Sequence, residues 1–292
     1  MQQTSQSGLK NKPSNYGAKI LFIIALFLAF NSVSYAQTDT VISNNQKISC
    51  SIKEITPDAV KYTFPGEDVI NTVYKNTVQK IIFKSGRVQT FAEATSYKSV
   101  QNVMDYTNVT TTMVESEVRG LFKINDVSSK SKGTTVYSSQ ERVKDRAYRK
   151  LKIQAAMFGA NIVLLTNQRT EGNKYGGYFS SSSTAETNLT GIAYSNQLPD
   201  YEKFKALIGS NTNFTAIKRF ELGASDSDVS QDDINKSFVI SKITNDNGIT
   251  IIEGNLKGES NVNMFQLANF NNDSFAIAYK YKGAAYNYII KM

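Results

Sequence analysis

The side chains available for chemistry in this 292-residue chain are few in kind: there is no histidine, no tryptophan and one cysteine, Cys50. A Ser-His-Asp or Cys-His nucleophile system, an imidazole base and a His-ligated zinc site are therefore excluded. A single cysteine makes neither an intrachain disulfide nor a cysteine metal cluster. Any catalysis would have to use Asp, Glu, Lys, Tyr, Ser or Thr. The sharpest acidic spacing is Asp226-x-Asp228-x-Ser230-x-Asp232-Asp233, which opens like an oxygen-ligand calcium loop. Such a loop needs Gly at its sixth position and Glu at its twelfth, and here those are Gln231 and Ser237. Ser230-x-x-Asp233 also reads as a capping box for a short helical turn, so a structural role and no metal site is expected. No phosphate-binding glycine loop, nucleophile elbow or carboxylate pair in an apolar frame is present, so no catalytic residue and no cofactor is assigned. Carboxylate pairing is spatial, not sequential. A histidine-free glycan hydrolase with two acids facing across a cleft therefore stays open as an alternative.

Residues suited to recognition are easier to find. Arg142, Lys144, Arg146, Arg149, Lys150 and Lys152 stand against only Glu141 and Asp145. This basic stretch suits an anionic headgroup, glycan or protein partner, or else the solvated outer face of a helix. The segment from Gly172 to Ser183 carries Tyr175, Tyr178 and Phe179 among Gly and Ser, the composition of an adaptable binding loop and equally of a connector. The partner-binding candidates are thus Tyr175, Tyr178, Phe179, Arg142, Arg146, Arg149 and Lys150. Near the C-terminus, Tyr279, Tyr281, Tyr286 and Tyr288 either fill strands or line a saccharide or lipid cup if their sheet closes.

The elements that position these residues follow from periodicity. Val143, Ala147, Leu151, Ala155 and Phe158 form an apolar helix stripe. It opens at a capping box Ser138-x-x-Glu141 and closes at Gly159. Val118, Gly120, Phe122 and Ile124 alternate as the strand before the helix. Ala160 to Thr166 is apolar on both faces, as a central strand is, and Leu189 to Tyr194 returns as a strand after a loop at 171–188. Residues 116–197 thus read as a β-α-β-β unit with a long, mobile hairpin tip. Before it, residues 93–115 read as a polar linker with one short helix, and 38–92 as five short strands. In the first of these, Ile48, Cys50 and Ile52 share a face, which makes Cys50 buried and inert. Five strands in so short a stretch favour a small SH3-like barrel. Residues 205–292 read as an antiparallel meander of five or six strands, with a hairpin at Asn245-Asp246-Asn247-Gly248. The fold class is α+β, mainly β.

Two segments resemble known families. "KISCSIKEITPDAVKY" and "TVQKIIFKSGRVQTF" look like the small SH3-like β module that opens many exported bacterial proteins of unknown function. "LKIQAAMFGANIVLL" with the later "LTGIAY" is similar to the fold of YbjQ-like proteins and of the surface lipoprotein of the Rcs envelope-stress system, over residues 142–194. That second resemblance implies a helix held close to its sheet by Ala155, Ala156 and Gly159, a turn bonded by Asn161, and an envelope setting. It carries no functional residue, and the disulfide and lipid anchor of the stress sensor have no counterpart here.

The first 36 residues have the build of a secretory signal: Lys10, Lys12 and Lys19 without any acid, the apolar run Ile20–Phe30, and Ser34-Tyr35-Ala36 before a cut that would leave Gln37 first. The apolar run is too short for a span of about 20 residues, so no stable membrane span is expected after cleavage. Without the leader lysines, 30 basic residues face 25 acidic ones and net charge falls from +8 to +5, too mild for a nucleic-acid partner. The sequence thus points to an exported, periplasmic or extracellular envelope protein, non-catalytic, that binds, senses or scaffolds an envelope protein or glycan partner. A small-ligand (lipid or saccharide) carrier built on the C-terminal strands is the first alternative.

Overall fold

A computed structural model of the chain describes residues 38–43, 46–91, 97–176 and 181–292. The leader expected at 1–36 lies outside these residues, as do Tyr178 and Phe179. From Asp39 to Met292 the chain is one compact unit, mainly β.

The first sheet comprises β1 (Asp39–Ser43), β2 (Gln46–Ile55), β3 (Ala59–Thr63), β4 (Asn71–Tyr74), β5 (Val78–Ile82) and β6 (Val88–Thr90), in the order β4-β3-β2-β1-β5-β6. Strand β1 leaves no mark in the sequence because it is short and has no long apolar alternation. Asp39 fixes it in place: its carboxylate accepts from Ile52 N at 2.9 Å on one side and from Lys84 N at 2.8 Å on the other. Strand β2 is shared, pairing through Gln46–Cys50 with β1 and through Ser51–Ile55 with β3. Among the described residues no ladder joins β4 to β6. The ring of strand pairing that a closed barrel needs is therefore not made. Cys50 is fully buried between Ile48 and Ile52 in a core with Val41, Val60, Val78 and Ile81, and burial, helped by nearby Asp39, pushes its thiol up to about 11.

From residue 97 on, the stretch expected as a linker is packed structure. Val100, Val103 and Val109 are buried in the core under the central helix. A 3-10 turn, Val103–Asn108, is capped by Asn102 with Asp105, and β7 (Thr110–Thr112) adds a parallel strand to β9 (Ile162–Glu171). Its low apolar content hid it. The second sheet runs β7-β9-β10-β8, with β8 at Phe122–Lys132 and β10 at Glu186–Ser195. The residues around Val118 expected as strand form a 3-10 turn instead, Glu115–Val118.

Helix α1 (Gln140–Met157) crosses this sheet and buries the whole predicted stripe. Its N-cap is Ser139, not Ser138: the Ser139 hydroxyl accepts from Arg142 N at 3.4 Å, whereas Ser138 Oγ accepts from Thr135 N in the preceding turn at 3.1 Å. The C-terminus closes as expected at Gly159, with φ of 74°. Ala160 N donates to Ala155 O and Gly159 N to Ala156 O, the paired bonds that satisfy the last carbonyls of a helix.

The third region begins with α2 (Tyr201–Ile208), followed by β11 (Asn213–Leu222), β12 (Ser230–Asp246), β13 (Ile249–Leu256), β14 (Met264–Phe270), β15 (Ser274–Tyr281) and β16 (Ala284–Lys291). These strands close into a barrel, β16 pairing back onto β11. Strand β12 starts earlier than the sequence suggested. Asp232 and Asp233 therefore lie in a ladder opposite Arg219 and Lys218, and the helical turn expected at Ser230 does not form. Phe204 of α2 enters the barrel core with Phe238, Phe265, Phe275 and Tyr288, all under 2% exposed. The barrel and α1 also share a core. Small residues on the outer faces of β15 and β16, Ala278 and Ala285, pack on the helix together with Phe220 and Leu222. Asn287 Nδ2 donates to Met157 O at 2.6 Å.

Candidate functional site

Spacings of four and three along α1 place Arg142, Arg146 and Arg149 on one face. With Thr134, Ser138, Ser139, Val143 and Asp145 they line an open groove of about 440 Å³ at the N-terminal half of the helix. The three guanidinium groups differ in commitment. Arg149 is held, its Nη2 lying 2.6 Å from Asp228 Oδ2 with the guanidinium over the Tyr106 ring at 5.4 Å. Arg146 donates from Nη2 to Lys132 O at 3.1 Å, and its buried Nε has no partner among the described residues. Arg142 is exposed and makes no ion pair among the described residues. Asp145 is the single acid in the lining, so the groove is a concentrated positive site on a mildly basic protein.

The β9–β10 hairpin flanks the groove and is clamped at its base. Asn173 Nδ2 donates to Ser138 O at 2.8 Å, and Asn173 Oδ1 accepts from Ala185 N at 2.7 Å. Tyr175 is 66% exposed and sits 6.1 Å from Tyr137, itself 82% exposed. The structure thus gathers Arg142, Arg146, Arg149 and Tyr175 around one end of α1. Tyr137, with its hydroxyl-rich neighbours, was missed because it falls in the loop before the helix, where periodicity carries no signal.

Lys150 does not belong to this surface. Although it follows Arg146 by one turn, it is 5% exposed, covered where the helix meets β8 and the barrel, and donates to Lys130 O at 3.3 Å and Ala224 O at 3.0 Å. Burial pushes its ammonium pKa down, opposed by Asp226. The basic run in the sequence is therefore two things, an exposed arginine face and a buried lysine that ties helix to barrel.

The C-terminal tyrosines sit at one end of the barrel, where a bulge between Ala216 and Lys218 reverses the alternation of β11. Phe214 and Ala216 point inward before it, and Phe220 and Leu222 face α1 after it. Arg219 and Glu221 are thereby turned toward the barrel end, a switch that strict alternation cannot reveal. Tyr279 stacks on Tyr286 at 4.8 Å and 13°. Tyr279 and Tyr288 both donate to Glu259, at 2.9 and 2.7 Å, and Tyr286 donates to Glu221 at 3.2 Å. Burial pushes the hydroxyl pKa values of Tyr279 and Tyr288 upward, reinforced at both by Glu259; Tyr288 raises Tyr279 further, whereas the hydrogen bond with Tyr279 lowers that of Tyr288. Tyr279 and Tyr288 are buried in the barrel core, and Tyr281 and Tyr286 are partly buried against it.

The Asp226 carboxylate accepts from Gly223 N at 2.9 Å and Asp228 serves Arg149. Among the described residues no three acidic or cysteine side chains converge as a metal site, and no helix is long and apolar enough to cross a membrane. No family model matches the chain, and neither the curated proteins nor the solved structures searched contain a match.

Proposed function

We propose that this is an exported envelope protein that binds or senses without catalysis, and that the α1 groove captures an anionic segment of an envelope protein or glycan. The observation that carries the reading is the convergence of three arginines on one open groove, one of them unpaired and one with an unsatisfied Nε. Guanidinium groups match carboxylate and phosphate oxygens in a fixed fork. The clamped hairpin with Tyr175 would set the approach of the partner. The exported location rests on the leader and on the resemblance of residues 142–194 to envelope proteins. The sharing of β2 between two half-sheets supports an SH3-like reading of residues 38–92.

A carrier role for the barrel gains no support from an interior occupied by phenylalanine and tyrosine rings. The two-carboxylate hydrolase fares no better, since Glu221 and Glu259 each engage tyrosine hydroxyls.

The test uses the full chain against an acidic peptide and a phosphate-bearing glycan at physiological salt. Arg142→Glu combined with Arg146→Ala should weaken capture at least about tenfold, the loss of one or more charge-assisted hydrogen bonds of about 1.5–3 kcal/mol. Deleting 175–182 keeps the Asn173 clamp and should weaken capture less. Capture unchanged in the double variant would overturn the proposal.

A further inference from the structure

A second cavity, of about 330 Å³, lies where the start of β9, the end of β10, the N-terminus of α2 and β14 meet. Its volume is at the lower end of the range for small-ligand sites, about 300–1,000 Å³. The seam is tight by construction: a Cβ on Gly159 would lie 2.3 Å from Ala268 O, so only glycine lets α1 and β14 meet there. Asn161, 3% exposed, organises one wall. Its Nδ2 donates to Asn196 Oδ1 at 2.6 Å and to Lys98 O at 3.4 Å, and its Oδ1 accepts from Asn196 N at 3.3 Å. Asn161 was expected to bond its own turn; instead it joins three separate segments.

This bonding uses the Asn196 side-chain oxygen and leaves its amino group free. The side-chain amides of Gln197 and Asn269, which also line the cavity, have no hydrogen-bond partner among the described residues. Three amides with spare capacity thus border one space. An amide both donates and accepts, as a hydroxyl does. The lining includes one acid and one base, Asp200 and Lys203, 3.6 Å apart and cancelling each other. Tyr97 and Phe270 add aromatic surface at the rim.

We propose that this cavity binds an uncharged polyhydroxy ligand of mono- to disaccharide size. A lipid would find the lining too polar. An anion would find no net positive charge, in contrast to the arginine groove, and the two sites are independent.

The experiment is saturation-transfer NMR on the full chain with glucose, N-acetylglucosamine and their disaccharides, with glucuronate and glucosamine as charged counterparts. At least one neutral sugar should bind saturably. Asn196→Ala and Asn269→Ala should each weaken it roughly three- to tenfold, the worth of one neutral hydrogen bond, while Arg142→Ala leaves it unchanged. Gln197→Ala, at an exposed position, provides a variant with little risk to folding. The proposal is overturned if no neutral sugar binds at about 10 mM, well above a millimolar dissociation constant. It is also overturned if the charged counterparts bind more tightly, or if folded amide variants bind as the parent does.

Discussion

The α1 groove and the tyrosine end of the barrel are both clusters of charged and aromatic side chains, yet they differ in how far their charges are already paired. At the barrel end Glu259 takes two tyrosine hydroxyls and lies 3.9 Å from Lys236, while Glu221 takes a third hydroxyl and contacts Arg219. In the groove Arg142 faces solvent without an ion pair among the described residues; a buried Nε without a partner occurs in both places, on Arg146 and on Arg219, so the exposed guanidinium is what separates them. A buried network whose acids are all engaged contributes rigidity. A charged face with open valences is where a partner gains from binding. Residue type alone does not separate the two cases; the positions of the partners do.

The comparison is broken most directly by truncating one member of each cluster. Tyr288→Ala should cost about 3–5 kcal/mol, as for other large aromatic truncations in a core, read from the urea midpoint. Arg142→Ala should stay within about 0.5 kcal/mol and lose anion capture. Equal costs would erase the distinction. Lys150→Ala comes next, at about 1–3 kcal/mol, because the Lys130 and Ala224 carbonyls lose their donor. Arg149→Ala, whose ion pair is exposed, should cost less than about 1 kcal/mol. Ser139→Ala should lower stability by about 1 kcal/mol through loss of the cap and Ser138→Ala by less, which thermal melts would resolve.

Asp228→Ala releases Arg149 from its ion pair and should tighten anion binding by a few-fold, from about 0.2–1 kcal/mol for an exposed pair. Unchanged or weaker binding in a titration would show that Arg149 is not part of the capture surface. The smallest effect at neutral pH is the titration of the barrel end. Tyr279 and Tyr288 have folded-state pKa values above the ordinary 10.0. Their contribution is therefore fully present below pH 10 and is lost as pH rises from there toward the folded values. Denaturation midpoints should fall above that pH, less steeply in Tyr279→Phe with Tyr288→Phe.

What was legible in the sequence was what local periodicity encodes. The α1 stripe, its Gly159 stop, the buried β9 and the alternating β15 and β16 all announce themselves because each buries a face set by its own repeat. Strand β1 and the packed 97–112 segment did not, since their places depend on Asp39 bonding two neighbours and on three valines entering a distant core. The candidate site was half legible. Arg142, Arg146, Arg149 and Tyr175 stand out from composition, but Lys150 groups with them because its spacing matches theirs and only packing against β8 and the barrel covers its turn of the helix.

The sequence by itself determined the absence of histidine chemistry, the mainly β character and the amphipathic helix, because these depend on residue types and on spacing within one element. Only the tertiary structure decided that the C-terminal strands close with a filled interior, that the β11 bulge turns Arg219 and Glu221 toward the barrel end, and that one lysine of a basic run is buried. Those outcomes depend on contacts between residues far apart in the chain, and no local pattern records them.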